Sequence, residues 1–194
     1  MNRFVSVGLE HIYWWDANPL KGTRAKMPAA KAGVKLGFPS VAFSKTGLAL
    51  LAASDGAVYS YNNGSGGKAF KGTHTKMVSC INIVPDPSSS DKELVITGGA
   101  DKQIILHHLD ASKNLVKLVS YSVVATPRSL DFMDDSVLAG LSNGTILEIK
   151  NVISSPSTPE IEIQIRSHYD GEAWGLAMFN DGDRCMYFTS GDDN

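Results

Sequence analysis

The residues of this 194-residue chain whose types could do chemistry are five histidines, two cysteines, two adjacent-aspartate pairs, one glycine-rich stretch and one basic stretch. His107 and His108 are neighbours inside the apolar run QIILHHL (103–109). In a strand their side chains point to opposite faces, so they cannot chelate one metal ion, and they read as a solvated strand pair. His74 and His168 each stand ahead of an apolar run. Cys80 and Cys185 lie in apolar runs with no paired spacing, the setting of small core residues rather than nucleophiles or ligands. Asp134-Asp135 and Asp192-Asp193 fall in turn sequences and lack the alternating carboxylates of a calcium loop. GSGGK (64–68) lacks the Gly-Lys-Ser/Thr ending of a phosphate loop and has no helix after it, so it reads as a flexible loop. Residues 21–35 (KGTRAKMPAAKAGVK) carry Lys21, Arg24, Lys26, Lys31 and Lys35 and no acid. This stretch is either a solvated outer strand guarded by charge or a contact for an acidic partner. Catalytic, metal-binding and cofactor-binding residues are therefore assigned to none of these positions.

The elements that carry these residues are short. Fourteen runs of four to seven residues, rich in Val, Ile, Tyr and Phe, recur along the chain, from FVSVG (4–8) and HIYWW (11–15) to CMYFTS (185–190). They alternate with period 2 and end in turn residues, and no segment keeps a helical period. The turns Ser54-Asp55-Gly56, Ala100-Asp101-Lys102 and Ser142-Asn143-Gly144 sit between consecutive runs and suit tight hairpins. Two Asn-X-Ser/Thr sequons, at Asn63 and Asn143, fall on such turns and read as turn chemistry. Strand follows strand with no helix between, which predicts an antiparallel all-β domain.

The composition is that of a folded globular chain, 43% hydrophobic and 20% charged. A formal charge of −2 argues against phosphate neutralisation of nucleic acid and against a polybasic membrane contact. No apolar run approaches the roughly 20 residues of a membrane-spanning helix. Two cysteines are too few for a disulfide framework, so a reducing, cytoplasmic setting is expected.

The hairpins repeat. Units opening SVAF (40), SCINIV (79), SLDF (129) and AWGLAMF (173) each read strand, turn, strand, Asp/Asn turn, strand. Their spacing fits the four-stranded blades of a β-propeller, about 40–45 residues each. The pattern resembles the WD-repeat family, which sets a His ahead of the innermost strand, Ser/Thr in the second, Asp in the turn and Trp-Asp at the end of the third. On that resemblance Asp16, Asp55, His74, Thr97, Asp101, Asp110, Asn143 and His168 are structural repeat positions. Trp15-Asp16 carries the dipeptide, and Leu109-Asp110 keeps its Asp. Trp14, Trp15 and Trp174 are expected to pack between blades.

A narrower likeness joins HYDGEAWGLA (168–177), FTSGDD (188–193), FVSVGLEHIYWW (4–15), VITGGAD (95–101) and LAGLSNGTILEI (138–149). Together these resemble the echinoderm microtubule-associated protein-like family. The resemblance implies a non-catalytic interaction scaffold, cytoplasmic and cytoskeletal, with tubulin or microtubules among its protein partners and no cofactor. A WD-repeat subunit of another signalling or ciliary assembly is the alternative, and a propeller hydrolase is a third reading with no residues placed to serve it. The expected architecture is a propeller section. Complete blades run at about 39–72, 77–122 and 127–167, with partial blades at 3–36 and 172–194. The section is read as a fragment of a larger chain whose open edges invite self-association, two copies completing a ring of about eight blades.

Overall fold

The computed structural model describes residues 3–29, 34–166, 173–180 and 185–191. Seventeen strands and no helix occur among them. Strands β1 (Arg3–Gly8), β2 (His11–Ala17) and β3 (Leu20–Arg24) form one antiparallel sheet. Four-stranded meanders follow: β4 (Ser40–Phe43), β5 (Ala49–Ala52), β6 (Val58–Asn62), β7 (Ser65–Phe70); then β8 (Val78–Pro85), β9 (Glu93–Gly99), β10 (Gln103–Leu109), β11 (Leu115–Ser122); then β12 (Pro127–Met133), β13 (Ser136–Leu141), β14 (Thr145–Lys150), β15 (Glu160–Arg166). The pair β16 (Ala173–Asn180) and β17 (Cys185–Gly191) comes last. The opening strands β4, β8, β12 and β16 pack side by side in chain order, so they line the inner side of a fan of blades.

The apolar runs explain the packing. Alternate residues of one strand face opposite neighbours, and a blade inside the fan is covered on both faces, so its second strand (β5, β9 or β13) buries every position. The pattern is plain in β5, where Leu51 joins a core cluster with Ile12, Phe38 and Tyr61 of the preceding junction. Its neighbour Leu50 joins Val78, Ile81 and Val95 of the following one. Likewise Val95 faces back, while Ile96 faces forward with Leu106, Leu130 and Val137. The core is thus three layers, one at each junction between neighbouring sheets from the first to the fourth, and not one central mass.

Polar stitches run along the inner strands. The Asn82 amide donates to Asp131 Oδ1 (3.3 Å), and Asp131 Oδ2 accepts from the Met178 amide (3.2 Å), tying β8, β12 and β16 together. Glu93 Oε1 accepts from the Lys45 amide at 2.6 Å and joins the second sheet to the third.

Two sheet faces have no blade against them among the described residues. On the last sheet, Ala177 pairs with Phe188 and Phe179 with Met186, so all four share a face. Register places Phe188 where the earlier sheets have Leu50, Ile96 and Leu138. Those three are fully buried and Phe188 is 58% exposed. On the first sheet, Phe4, Trp15, Tyr13 and His11 stack in a ladder along the side away from the core cluster.

Several expectations change here. GSGGK (64–68) is not a loop: Asn63 and Gly64 form a positive-φ turn and residues from Ser65 onward run as β7. Glycines there relieve close contact, since a Cβ at Gly67 would sit 2.7 Å from Ser60 Oγ. Of the tryptophans, Trp14 packs edge-on to Phe43 across the first junction. Trp15 instead lies on the open ladder, and Trp174 is 54% exposed, with the Arg128 guanidinium 5.5 Å over its ring. Asp134 and Asp135 both take positive φ in the turn between β12 and β13. His168, Lys31, Asp192 and Asp193 lie outside the described residues.

Candidate functional site

The strand ladder brings one polar cluster together. β9 carries Thr97 inward, the turn after it carries Asp101, and the segment entering β8 carries His74. His74 Nδ1 lies 2.8 Å from Asp101 Oδ1, and its Nε2 lies 3.0 Å from Thr97 Oγ1. Asp101 also accepts from the Thr75 amide at 2.9 Å and the Gln103 amide at 3.3 Å. A fourth member was not expected from the sequence: His107 Nε2 stands 3.4 Å from Thr97 Oγ1. One directed chain satisfies all four with both imidazoles neutral. His107 donates to Thr97, Thr97 to His74, and His74 to Asp101, a tautomer assignment taken from the network.

His107 is 4% exposed, so the reading of His107-His108 as a solvated pair is corrected. The two do point to opposite faces. His108 Nε2 sits 2.9 Å from Asp86 Oδ2 on the other side. Burial, then the nearby His74, hold the His107 imidazole well down, at about 3. Burial likewise lowers His74, against the pull of Asp101. Burial alone would raise Asp101, but the Thr75 amide and His74 outweigh it and leave it below the usual carboxylate range.

Register also moves one repeat position. Thr97 pairs with Ile105 and Ser6 with Tyr13, so the residues two further on, His107 and Trp15, are equivalent. Trp15 Nε1 donates to Ser6 Oγ at 2.9 Å, and Ser6 Oγ is 2.8 Å from His11 Nε2. Tyr61 and Ile149 occupy the same place in the other two complete sheets. His107-His108, and not Leu109-Asp110, therefore stands at the Trp-Asp position. Asp110 belongs to the next turn, where it accepts from the Asn114 amide at 2.8 Å. Asp55 and Asn143 hold equivalent turns by accepting from Ala57 and Thr145 amides two residues on. Asp16 pairs with Arg3.

This cluster is closed on itself. Its donors and acceptors satisfy one another within the blade, and no three His, Cys, Asp or Glu side chains among the described residues converge on a metal-sized space. Cys80 is buried, and desolvation pushes its thiol up to about 12, which leaves it unreactive near neutrality. Lys21, Arg24, Lys26 and Lys35 are all exposed on β3 and the segment beyond it. Arg24 donates to the Glu10 carbonyl (3.1 Å), and Lys35 lies 3.6 Å from the Glu10 carboxylate.

An all-β fan of four-stranded antiparallel blades with a His-Thr-Asp cluster defines the fold as a section of a WD40-type β-propeller. Solved structures agree on the fold. The WD40 β-propeller domain of Doa1 superposes on 99% of this chain and 59% of its own, with a TM-score of 0.70 at 15% identity. The computationally designed Ika8 protein matches all of this chain and 54% of its own, with a TM-score of 0.66 at 17% identity. No family model matches the sequence. Among curated proteins, the ciliary WD repeat-containing protein ctxp80 of Euplotoides octocarinatus is 42% identical over 100 residues. That alignment spans 52% of this chain and 12% of the relative.

Proposed function

We propose that this chain is part of a larger, non-catalytic WD-repeat scaffold of the cytoskeleton that binds tubulin or microtubules. The observation that carries the reading is the exposed cationic strand β3 with Lys26 beyond it, on a rigid body whose repeat polar groups are consumed in holding the blades. Rigid frames that present exposed segments are where binding residues concentrate. The likeness to the echinoderm microtubule-associated protein-like family supplies the partner, and acidic tubulin tails suit the charge. The relative's ciliary name supports a second reading, a subunit of a ciliary or signalling assembly.

Co-sedimentation with polymerised microtubules separates the two. The chain and its longer parent are expected to pellet at low salt and to be released as ionic strength rises, because exposed charge pairs are screened within about 10 Å at 0.1 M. A supernatant-only result at low salt would favour the second reading. Self-association through the two uncovered sheet faces belongs to the same proposal, with the apolar Phe179, Met186 and Phe188 of one copy set against the aromatic ladder of another.

A further inference from the structure

The outer rims of two neighbouring junctions differ in chemistry. Between the second and third sheets Lys68 reaches across to the Asn114 side chain (2.5 Å) and the Ser112 carbonyl (3.3 Å). Between the third and fourth sheets the rim is apolar. Val116 pairs in register with His108, and His108 with Leu94, two residues before Ile96 of the core cluster there. From the other side Ile161 and Ile163 pair with Ile149 and Leu147 of the same cluster. Val116, Leu118, Ile161 and Ile163 are each 45% to 51% exposed.

Within this junction lies a cleft of about 270 Å³. Leu94, His108 and Leu118 of the third sheet line it, facing Val152, Ile153 and Pro156 of the β14–β15 connection. That connection is held in place: Tyr121 Oη donates to the Pro156 carbonyl (3.2 Å), and the Ile153 amide to Asp135 Oδ1 (2.5 Å). A cavity of about 150 Å³ is enough for a benzene ring, so the cleft has room for one aromatic side chain.

The lining has two polar side chains. Ser88 is fully committed to Asp86, its hydroxyl and amide donating to Oδ1 at 2.6 and 2.8 Å. His108 is committed on one edge. Its Nε2 lies 2.9 Å from Asp86 Oδ2, off the line of a full hydrogen bond, and that carboxylate is 1% exposed. Burial alone would raise Asp86, but the Ser88 hydroxyl and amide outweigh it and keep it below the usual carboxylate range. An ionised carboxylate facing Nε2 sets the imidazole proton there, a tautomer assigned from this contact. Nδ1 then carries the lone pair. It makes no hydrogen bond among the described residues and is not sealed from the surface.

We propose that this cleft binds the phenol side chain of a tyrosine presented by a protein partner, with the ring between Leu118 and Pro156 and the O–H donating to His108 Nδ1. Tyrosine joins an apolar body to a polar tip, and residues of this kind anchor interfaces. Charge complementarity selects a donor: the carboxylate behind the imidazole strengthens Nδ1 as an acceptor and repels an anionic occupant. An aliphatic side chain would cover the imidazole without satisfying it. The site belongs to a different junction from β3, so it does not rest on the tubulin reading.

The test is NMR titration of the chain with N-acetyltyrosinamide and with N-acetylphenylalaninamide, which lacks only the hydroxyl. The tyrosine amide is expected to bind about fivefold more tightly, the worth of one net hydrogen bond, and to shift the His108 Nδ1 resonance. His108→Phe keeps an aromatic wall, removes the acceptor and should erase the preference. Leu118→Asp, at an exposed position, puts charge in the wall and should weaken both amides severalfold. Val124→Asp, beyond the far end of β11, should change neither. No binding, equal affinity for the two amides, a preference that survives His108→Phe, or wild-type affinity in Leu118→Asp would each overturn the site. If His108→Phe loses its β-sheet dichroism, the Nδ1 shift and Leu118→Asp decide alone.

Discussion

At the scale of single residues, His107 has the clearest consequence. Its folded-state value lies near 3, against about 6.5 for an unperturbed imidazole. A lowered value means that the unfolded chain binds a proton where the folded chain does not. Stability from this group is thus fully present above pH 6.5 and is lost as pH falls from 6.5 towards 3, at about 1.4 kcal/mol per pH unit. His74 shifts in the same direction and steepens the slope. Chemical denaturation from pH 7 to 4 should show this loss, and His107→Phe should flatten it, because a phenyl ring carries no proton. The remaining slope would come from His74 and, towards pH 4, from carboxylates held low in the fold such as Asp101 and Asp86. The sequence disclosed His74, Thr97 and Asp101 through their repeat spacing. It concealed His107 because a histidine in a tryptophan's place matches no pattern, and only the pairing of Thr97 with Ile105 locates it.

At the scale of elements, the inner and middle strands and the outer β15, read as EIEIQI (160–165), were legible, and the outer β3, β7 and β11 were not. QIILHHL (103–109) coincides with β10, and the other runs match their strands within two residues at either end. β3 and β7 have no apolar run, because an outer edge strand is solvated on most sides and can be built from Lys, Gly and Thr. β11 alternates partly, but its exposed Val116, Lys117 and Leu118 obscure the period. Close packing between sheets gives the prediction at this scale. A Cβ at Gly98 would lie 2.6 Å from Pro127 Cβ and 2.7 Å from Cys80 Sγ. Both neighbours are held in strands, so Gly98→Ala should lower stability by about 1–3 kcal/mol through overpacking. A urea midpoint measured beside the wild type checks it. Gly47→Ala makes a useful contrast, because no atom lies within 4 Å there and its cost comes from its positive φ alone.

At the scale of the whole molecule, each blade rests only on its neighbours, so the uncovered faces are ordinary junction surfaces without a junction. Light scattering across a concentration series should show a species heavier than the 20.8 kDa chain. Phe188→Glu should return it to monomer without changing the β-sheet signal, because this side chain is already solvent-facing. A wild-type monomer at every concentration would defeat self-association. The register equivalence of Phe188 with Leu50, Ile96 and Leu138 could not be read from composition, since a run such as CMYFTS looks the same whether its second face is covered or bare.

The distribution of tryptophan has an optical consequence. Trp14 and Trp15 lie in β2 and Trp174 in β16, so the three complete blades contain no indole. Tryptophan emission during unfolding therefore records the first and last sheets, while far-ultraviolet circular dichroism is dominated by the interior. If the end sheets fray before the middle releases the two core layers between the complete blades, the emission transition will precede the dichroic one. A single indole left at Trp174 would then tell which end goes first.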